Sequence, residues 1–351
     1  MPEIQKKSIL DVLKTIIPTS QATNIVDSGI VSAVIIDSSQ VGIVLDFGDT
    51  PPNDAPALRA LAEEKAKTVP GVTAVNVVMS AIKKAPTVTP ATKAPPTPTQ
   101  IPGVKHVIAV ASGKGGVGKS TTSINLALAL QKYGLKVGLL DADIFGPSVP
   151  MLTGLTARPE IKDKVIQPLI AFDMKVMSIG FLIDVDQPVV WRGPRVMGAT
   201  QQLLKDVAWG PLDVLVVDMP PGTGDVQLSM VQQAVLSGAI IVSTPQDLAL
   251  IDARKGISMF QKVGTPILGI IENMSTYICP NCGTESHIFG HGGAQEVART
   301  IGCPFLGAVP LHISLRETGD KGTPVTVSDK ESPISQSYYK IAEKIAGTLG
   351  L

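Results

Sequence analysis

Residues 113–120 read Gly-Lys-Gly-Gly-Val-Gly-Lys-Ser and follow directly on an apolar run, 107–111. Gly113, Gly118, Lys119 and Ser120 fill the spacing Gly, four residues, Gly, Lys, then Ser or Thr, which defines a phosphate-binding loop. Glycines let backbone N–H groups converge on phosphate oxygens, and the helix that follows turns its positive end to the same anion. Such a loop needs a buried strand before it and a helix after it. The chain must therefore contain at least one strand–loop–helix unit of an α/β protein.

The rest of 104–351 repeats that alternation. Apolar runs at 107–111, 137–141, 176–179, 214–218, 239–244, 267–272 and 305–309 suit strands covered on both faces, with helical stretches such as 122–133 and 252–263 between them. The expected architecture is a doubly wound, mostly parallel α/β sheet forming a P-loop NTPase domain. A composition of 44% hydrophobic but only 4% aromatic residues agrees with an aliphatic core.

A Pro/Thr-rich stretch, 83–103, reads as a semi-extended linker, because repeated prolines remove backbone donors and hold the chain near polyproline II. Before it, residues 1–82 form a small α+β domain. An apolar helical face (Ile9, Leu10, Val12, Leu13, Ile16, Ile17) stops at Pro18; strands follow at 29–37 and 41–47, then a helix at 55–68 and a strand at 72–79. This domain carries no cysteine or histidine.

Thirty basic residues balance thirty acidic ones, so no global field draws the protein to nucleic acid or to anionic lipid. No run is long and apolar enough for a membrane helix, and the first residues lead into no apolar signal segment. Three cysteines do not make a secreted disulfide framework. A cytoplasmic protein with free thiols is expected, with no nucleic-acid or membrane partner.

Several residues complete a nucleotide site. The backbone of Gly113, Lys114, Gly115, Gly116, Val117, Gly118, Lys119, Ser120 and Thr121 cradles ATP phosphates; Lys119 reaches the β- and γ-phosphates and the Ser120 hydroxyl ligates Mg²⁺. Asp218 ends an apolar strand in the Walker B manner, and Pro220-Pro221-Gly222-Thr223-Gly224-Asp225 follows as a switch loop. Asp141-Ala142-Asp143 ends another strand, where Asp141 either joins the Mg²⁺ shell or caps the loop.

Cys279-Pro280-Asn281-Cys282-Gly283 places two thiols within reach of one metal, but supplies half of a four-ligand shell. A zinc knuckle would draw on His287, His291 or Cys303. A symmetric site between two chains would match the four thiolates of a 4Fe–4S cluster. A redox dithiol is the third reading.

Taken together, these motifs resemble the Mrp/ApbC family of iron–sulfur cluster carrier ATPases over roughly residues 100–345. The likeness also rests on Asp141-Ala142-Asp143-Ile144-Phe145-Gly146-Pro147-Ser148, Trp191-Arg192-Gly193-Pro194, Glu272-Asn273-Met274 and Ile288-Phe289-Gly290. The resemblance implies ATP hydrolysis, a homodimer, a 4Fe–4S cluster bridging two subunits at Cys279 and Cys282, and apo iron–sulfur proteins as recipients. Lys114, the signature lysine of the deviant Walker A class, reaches the partner's phosphates in that scheme. A carboxylate in the position of Asp143 orients the attacking water, and Asn273 matches an adenine contact or is an ordinary strand-end asparagine. The small domain resembles one found alone in iron–sulfur assembly factors, which adds such factors as partners. Its Thr50-Pro51 turn lacks the cysteine some relatives have. The competing classes are a partition or positioning ATPase and an ATPase with a structural zinc site.

Overall fold

The computed structural model describes residues 6–18, 23–37, 39–47, 54–80, 98–182, 193–279 and 281–351. Most of the expected linker, the turn at Thr50-Pro51, and Trp191 and Arg192 lie outside the described residues. The chain divides into two compact units, Met1–Lys93 and Ala94–Leu351.

The smaller unit runs α1 (Lys6–Leu13), β1 (Val31–Asp37), β2 (Gln40–Asp46), α2 (Ala55–Lys67) and β3 (Ala74–Ser80). Its sheet has the order β1-β2-β3, antiparallel between the first two and parallel between the last two. Along β2 the residues Val41, Ile43 and Leu45 are buried, the period-two pattern of a strand with one covered face. Leu58, Ala62 and Ala66 of α2 stand four apart and close that face with Ile9 and Leu13 of α1. The helix ends at Leu13, short of Ile17. There the N–H groups of Thr15 and Ile16 donate to carbonyls three residues back, tightening the last turn before Pro18.

The larger unit begins with β4 (Val104–Ala111), α3 (Lys119–Gln131), β5 (Val137–Asp141) and α4 (Val149–Thr153). Two hairpins follow, β6 (Ile161–Lys162) with β7 (Val165–Ile166), and β8 (Leu169–Ala171) with β9 (Met174–Ser178). Then come α5 (Gly193–Lys205), β10 (Leu212–Asp218), α6 (Asp225–Val231), β11 (Gly238–Ser243), α7 (Asp247–Lys262) and β12 (Ile267–Ile278). The unit ends with β13 (Glu285–Ser286), α8 (Gly293–Ile301), β14 (Phe305–Leu311), α9 (Ile313–Asp320), α10 (Val325–Ser328) and α11 (Pro333–Leu349).

Among the described residues nine strands form one sheet in the order β13-β12-β11-β4-β10-β5-β9-β8, with β14 also on β12. The pairs from β14 to β9 are all parallel; only β13 and β8 run antiparallel. Every residue of β5 and β11 is buried, as expected where helices cover both faces. The chain winds outward from β4 through β5 to β9, returns to β10, and then builds β11, β12 and β14 on the other side. The loop after β4 thus lies at the carboxyl ends of the strands, where the direction of winding reverses, the usual place for a ligand in an open α/β sheet.

Candidate functional site

Parallel register sets the chemistry in a row. Asp218 at the end of β10 is level with Asp141 at the end of β5, and Asp141 is level with Ser178 at the end of β9. The phosphate loop, 112–118, stands beside this row and delivers Lys119 into it. The Lys119 Nζ lies 2.7 Å from Asp218 Oδ1 and 3.3 Å from Ser120 Oγ, with the lysine 6% and the aspartate 0% exposed. Ser123, one turn further along α3, donates its hydroxyl to the same Asp218 oxygen at 2.7 Å. Asp218 Oδ2 is buried and has no hydrogen-bond partner among the described residues.

Asp141 is wholly buried and accepts from the N–H of Asp143 (3.1 Å), the N–H of Val149 (3.1 Å) and the hydroxyl of Ser178 (3.0 Å). It therefore pins the loop between β5 and α4, the capping role. Burial first, and the Asp218 charge second, push its carboxyl up to about 7 against these three donors. Asp143 is carried into the same space. Burial raises its carboxyl, while Lys119 pulls it down and Asp218 pushes it up; the N–H groups of Gly146 and Phe145 also favour its charged form. Asp143 and Asp218 thus share one lysine. Surplus negative charge and the partnerless Asp218 oxygen fit a divalent cation entering with phosphate.

The loop's shape depends on two glycines. A Cβ on Gly113 would run into the main chain of Asp252 in α7, and Gly118, at φ +81°, would drive a Cβ into the Asn273 amide. The switch loop is tied to the same region, since the N–H of Gly222 donates to Ser112 O at 2.9 Å and the N–H of Met219 to Val110 O at 3.0 Å. Lys114 and Gly113 are half-buried, whereas Gly115 and Gly116 are exposed.

Asn273 is brought against the loop itself: its Nδ2 donates to Val117 O at 2.8 Å, and its buried Oδ1 has no partner among the described residues. A cleft of about 270 Å³ opens beside Gly118 and Thr121, lined also by Asn273, Met274, Pro310, Leu311 and Arg316. Its mostly apolar wall next to the phosphate loop suits a flat base.

Strand β12 continues past Asn273 to Ile278, so the cysteine loop grows from the strand that touches the phosphate loop. The Cys279 N–H donates to Thr284 O at 3.0 Å and the Gly283 N–H to Cys279 O at 2.9 Å, closing a tight turn that presents Cys282 to solvent. The Cys282 sulfur lies 3.2 Å from the Thr284 hydroxyl; hydrogen bonding by that hydroxyl first, and then by the Thr284 N–H and the Cys279 thiol, holds its thiol below the ordinary value. His287 and His291 meet each other, with ring centroids 4.3 Å apart. Cys303 is packed against the main core, and burial raises its thiol. Among the described residues no group of three or more His, Cys, Asp or Glu side chains gathers to hold a metal ion. A four-ligand shell is therefore not assembled there within one chain.

Two side chains at these sites, Ser123 and Ser178, carry no sequence motif, and a third, Glu272, enters the family resemblance only within Glu272-Asn273-Met274, with no role attached. Ser123 follows Lys119 by four residues, and that spacing alone places both on one face of α3. Ser178 shows no signal beyond ending a strand. Glu272, like Asp141 and Asp218, is an acidic residue ending an apolar run. It is 1% exposed, and its carboxylate accepts from the N–H of Gly292 at 3.1 Å and of Ala294 at 2.8 Å. No described helix is long and apolar enough to cross a membrane.

Comparison with known proteins agrees with the fold. The family model of NUBPL iron-transfer P-loop NTPases, of the ParA group, matches residues 103–346, and that of iron–sulfur cluster assembly proteins matches residues 6–77. The "Iron-sulfur protein required for NADH dehydrogenase, mitochondrial" of Arabidopsis thaliana is 53% identical over 251 residues, 71% of this chain and 80% of that one. The iron–sulfur cluster carrier protein of Synechocystis is 46% identical over 295 residues, 82% of each chain. Among solved structures, a nucleotide-binding protein from Archaeoglobus fulgidus in complex with ADP is 40% identical, with a TM-score of 0.59 over 68% of this chain and 93% of that one. The cell-division ATPase MinD of Pyrococcus furiosus, 23% identical with a TM-score of 0.52 over 69% of this chain and 99% of its own, shares the fold. With more than half its length matched by the family model and relatives above 50% identity, the chain belongs to the NUBPL-type iron-transfer P-loop NTPases, the iron–sulfur carrier group that its motifs resemble.

Proposed function

We propose that the protein is an ATP-hydrolysing carrier of iron–sulfur clusters that works as a homodimer. It holds a 4Fe–4S cluster between the Cys279 and Cys282 thiolates of two copies and passes it to apo iron–sulfur proteins. The observation that carries this reading is the thiol pair: two sulfurs side by side at the surface, with no further metal ligand gathered round them among the described residues. A second copy supplies the missing two, which matches a Cys₄ cluster shell.

ATP would seat its phosphates on the backbone of 113–121 and its base in the cleft lined by Asn273. Magnesium, when bound, would be held through Ser120 and Asp218 and would neutralise charge on the β- and γ-phosphates. On nucleotide arrival Lys119 exchanges Asp218 for the phosphates, while Ser123 keeps Asp218 oriented. Asp143, held on the edge of the site by the backbone of 145–146, orients the attacking water, and Asp141 fixes that loop. Lys114 reaches the phosphates of the other copy, adding positive charge where it develops in the transition state. The smaller unit is a docking module for iron–sulfur assembly factors, and the reading of three cysteines as free thiols supports a reducing compartment, the cytoplasm.

The test is anaerobic reconstitution with iron and sulfide, on wild type and on Cys279→Ala/Cys282→Ala. The expected outcome is about four irons and four sulfides per dimer, lost in the double variant. Stoichiometric zinc, with no iron uptake once the zinc is stripped, would replace the carrier by a zinc-braced ATPase.

A further inference from the structure

Three consecutive residues near the middle of β12 touch three different things. Asn273 donates to the carbonyl of Val117 in the phosphate loop at 2.8 Å. Met274 has φ +55°, a conformation seldom taken by a residue with a side chain, and lines the base cleft. Glu272, buried to 1% exposure, receives the N–H groups of Gly292 and Ala294 at the start of α8.

The consequence lies in the chain's path. The segment bearing Cys279 and Cys282 leaves at the end of β12, six residues after Glu272, and its far end returns to the Glu272 carboxylate at Gly292. Both ends of the cysteine loop are thus fastened to the peptide that also holds the phosphate loop. Register in β12 is regular from Ile271 to Asn273 against β14 and shifts between Asn273 and Tyr277, so the strand's irregular stretch falls between the nucleotide contact and the thiols.

We propose that Glu272 is a positioning residue that couples nucleotide occupancy to the placement of the Cys279–Cys282 thiol pair. This rests on the nucleotide site and thiol pair assigned above. When phosphate enters the loop, movement at Val117 passes through Asn273 to the adjoining residue, Glu272. The carboxylate accepts two N–H bonds at the positive end of α8, an attachment of the strong, charge-assisted kind. It therefore carries the helix start and the distal end of the cysteine loop with it. A carboxylate that merely capped α8 would stabilise that helix equally with and without nucleotide; a coupling residue makes the thiols respond to it.

The experiment uses full-length apo protein, so it does not depend on cluster loading. The rate at which Cys279 and Cys282 react with a disulfide reagent is measured with and without ATP and Mg²⁺, in wild type and in Glu272→Gln. Nucleotide should change the wild-type rate about fivefold or more, the low end of ordinary coupling between two sites. In Glu272→Gln that ratio should fall to near one, while ATP affinity stays within about twofold, since the carboxylate is not in the phosphate site. The isosteric amide turns an N–H donor toward backbone donors and so breaks one attachment. Hydrogen exchange of segment 279–294 in the wild type gives a second readout that requires no variant: protection there should change when ATP is added. A folded Glu272→Gln protein with the full wild-type ratio, or a wild type whose thiols and segment ignore nucleotide, overturns the proposal. Loss of cluster binding in reconstitution would instead strike at the carrier function and leave this test standing.

Discussion

Lys119 and Asp218 meet at 2.7 Å with both side chains out of water, and Ser123 adds a second donor to the same oxygen. Before nucleotide arrives, this pair keeps a lysine and a carboxylate in place that neither could occupy alone. Removing one partner leaves the other as a buried, uncompensated charge. Lys119→Ala should therefore lower unfolding stability by about 3–5 kcal/mol in urea titrations, besides abolishing ATP binding; a stability change within error would mean the pair is solvated in solution. The neighbouring Asp141 makes a prediction about pH. Its folded pKa, about 7, lies above the ordinary 3.8. Between these values the folded state holds a proton that the unfolded chain has released, so stability of the apo protein falls as pH rises through that window and levels off above it. The fall should be on the order of 4 kcal/mol, the three donors on the carboxylate being already counted in that pKa, and Asp141→Asn should flatten it in thermal melts from pH 4 to 8.

At the scale of elements, the phosphate loop is shaped as much by α7 and β12 as by its own glycines. Gly113 has the Asp252 main chain against it, and backbone cannot yield as a flexible side chain does. Gly113→Ala should displace the loop, costing about 1–3 kcal/mol by overpacking and weakening ATP binding in calorimetric titration. Unchanged affinity would show that α7 can retreat. This dependence marks where sequence reading stops. The strands β4, β5, β10 and β11 are legible because burial on both faces over most of their length writes an unbroken apolar run; β14, only partly buried, is legible by its apolar composition alone, and the apolar runs match all five to within three residues. Strand β12 was foreseen only to Glu272, because its continuation through Asn273, Ser275 and Thr276 is polar and Met274 leaves the strand conformation. Periodicity cannot announce an element held by parallel pairing to β14 and by its own Asn273 amide donating to a backbone carbonyl of a distant loop. The site followed the same division. The loop, the carboxylates and the thiols carry recognisable spacing. Of the partners that orient them, Ser178 is set by register, which a linear pattern does not record, whereas Ser123 and Glu272 carry only the weak signals of i, i+4 spacing and of ending an apolar run.

For the whole molecule, the two units have separate hydrophobic cores. That of the smaller is built from residues such as Ile9, Leu13, Ile43, Leu45 and Leu58, and that of the larger from strands β4 to β14 and their helices. A unit of under 100 residues buries a smaller fraction of its surface than one of about 250, and its stability is correspondingly marginal. Two cooperative transitions are therefore expected in calorimetry of the full chain, the smaller unit melting with the smaller enthalpy. Ligand linkage tells them apart. ATP with Mg²⁺ binds only the larger unit in the proposed function, and at a hundredfold excess over Kd it stabilises that unit by about 2.7 kcal/mol. For a unit of this size the shift should be roughly 5–10 °C, confined to the transition of larger enthalpy. A single transition moving as one would overturn the expectation of two independently cooperative units.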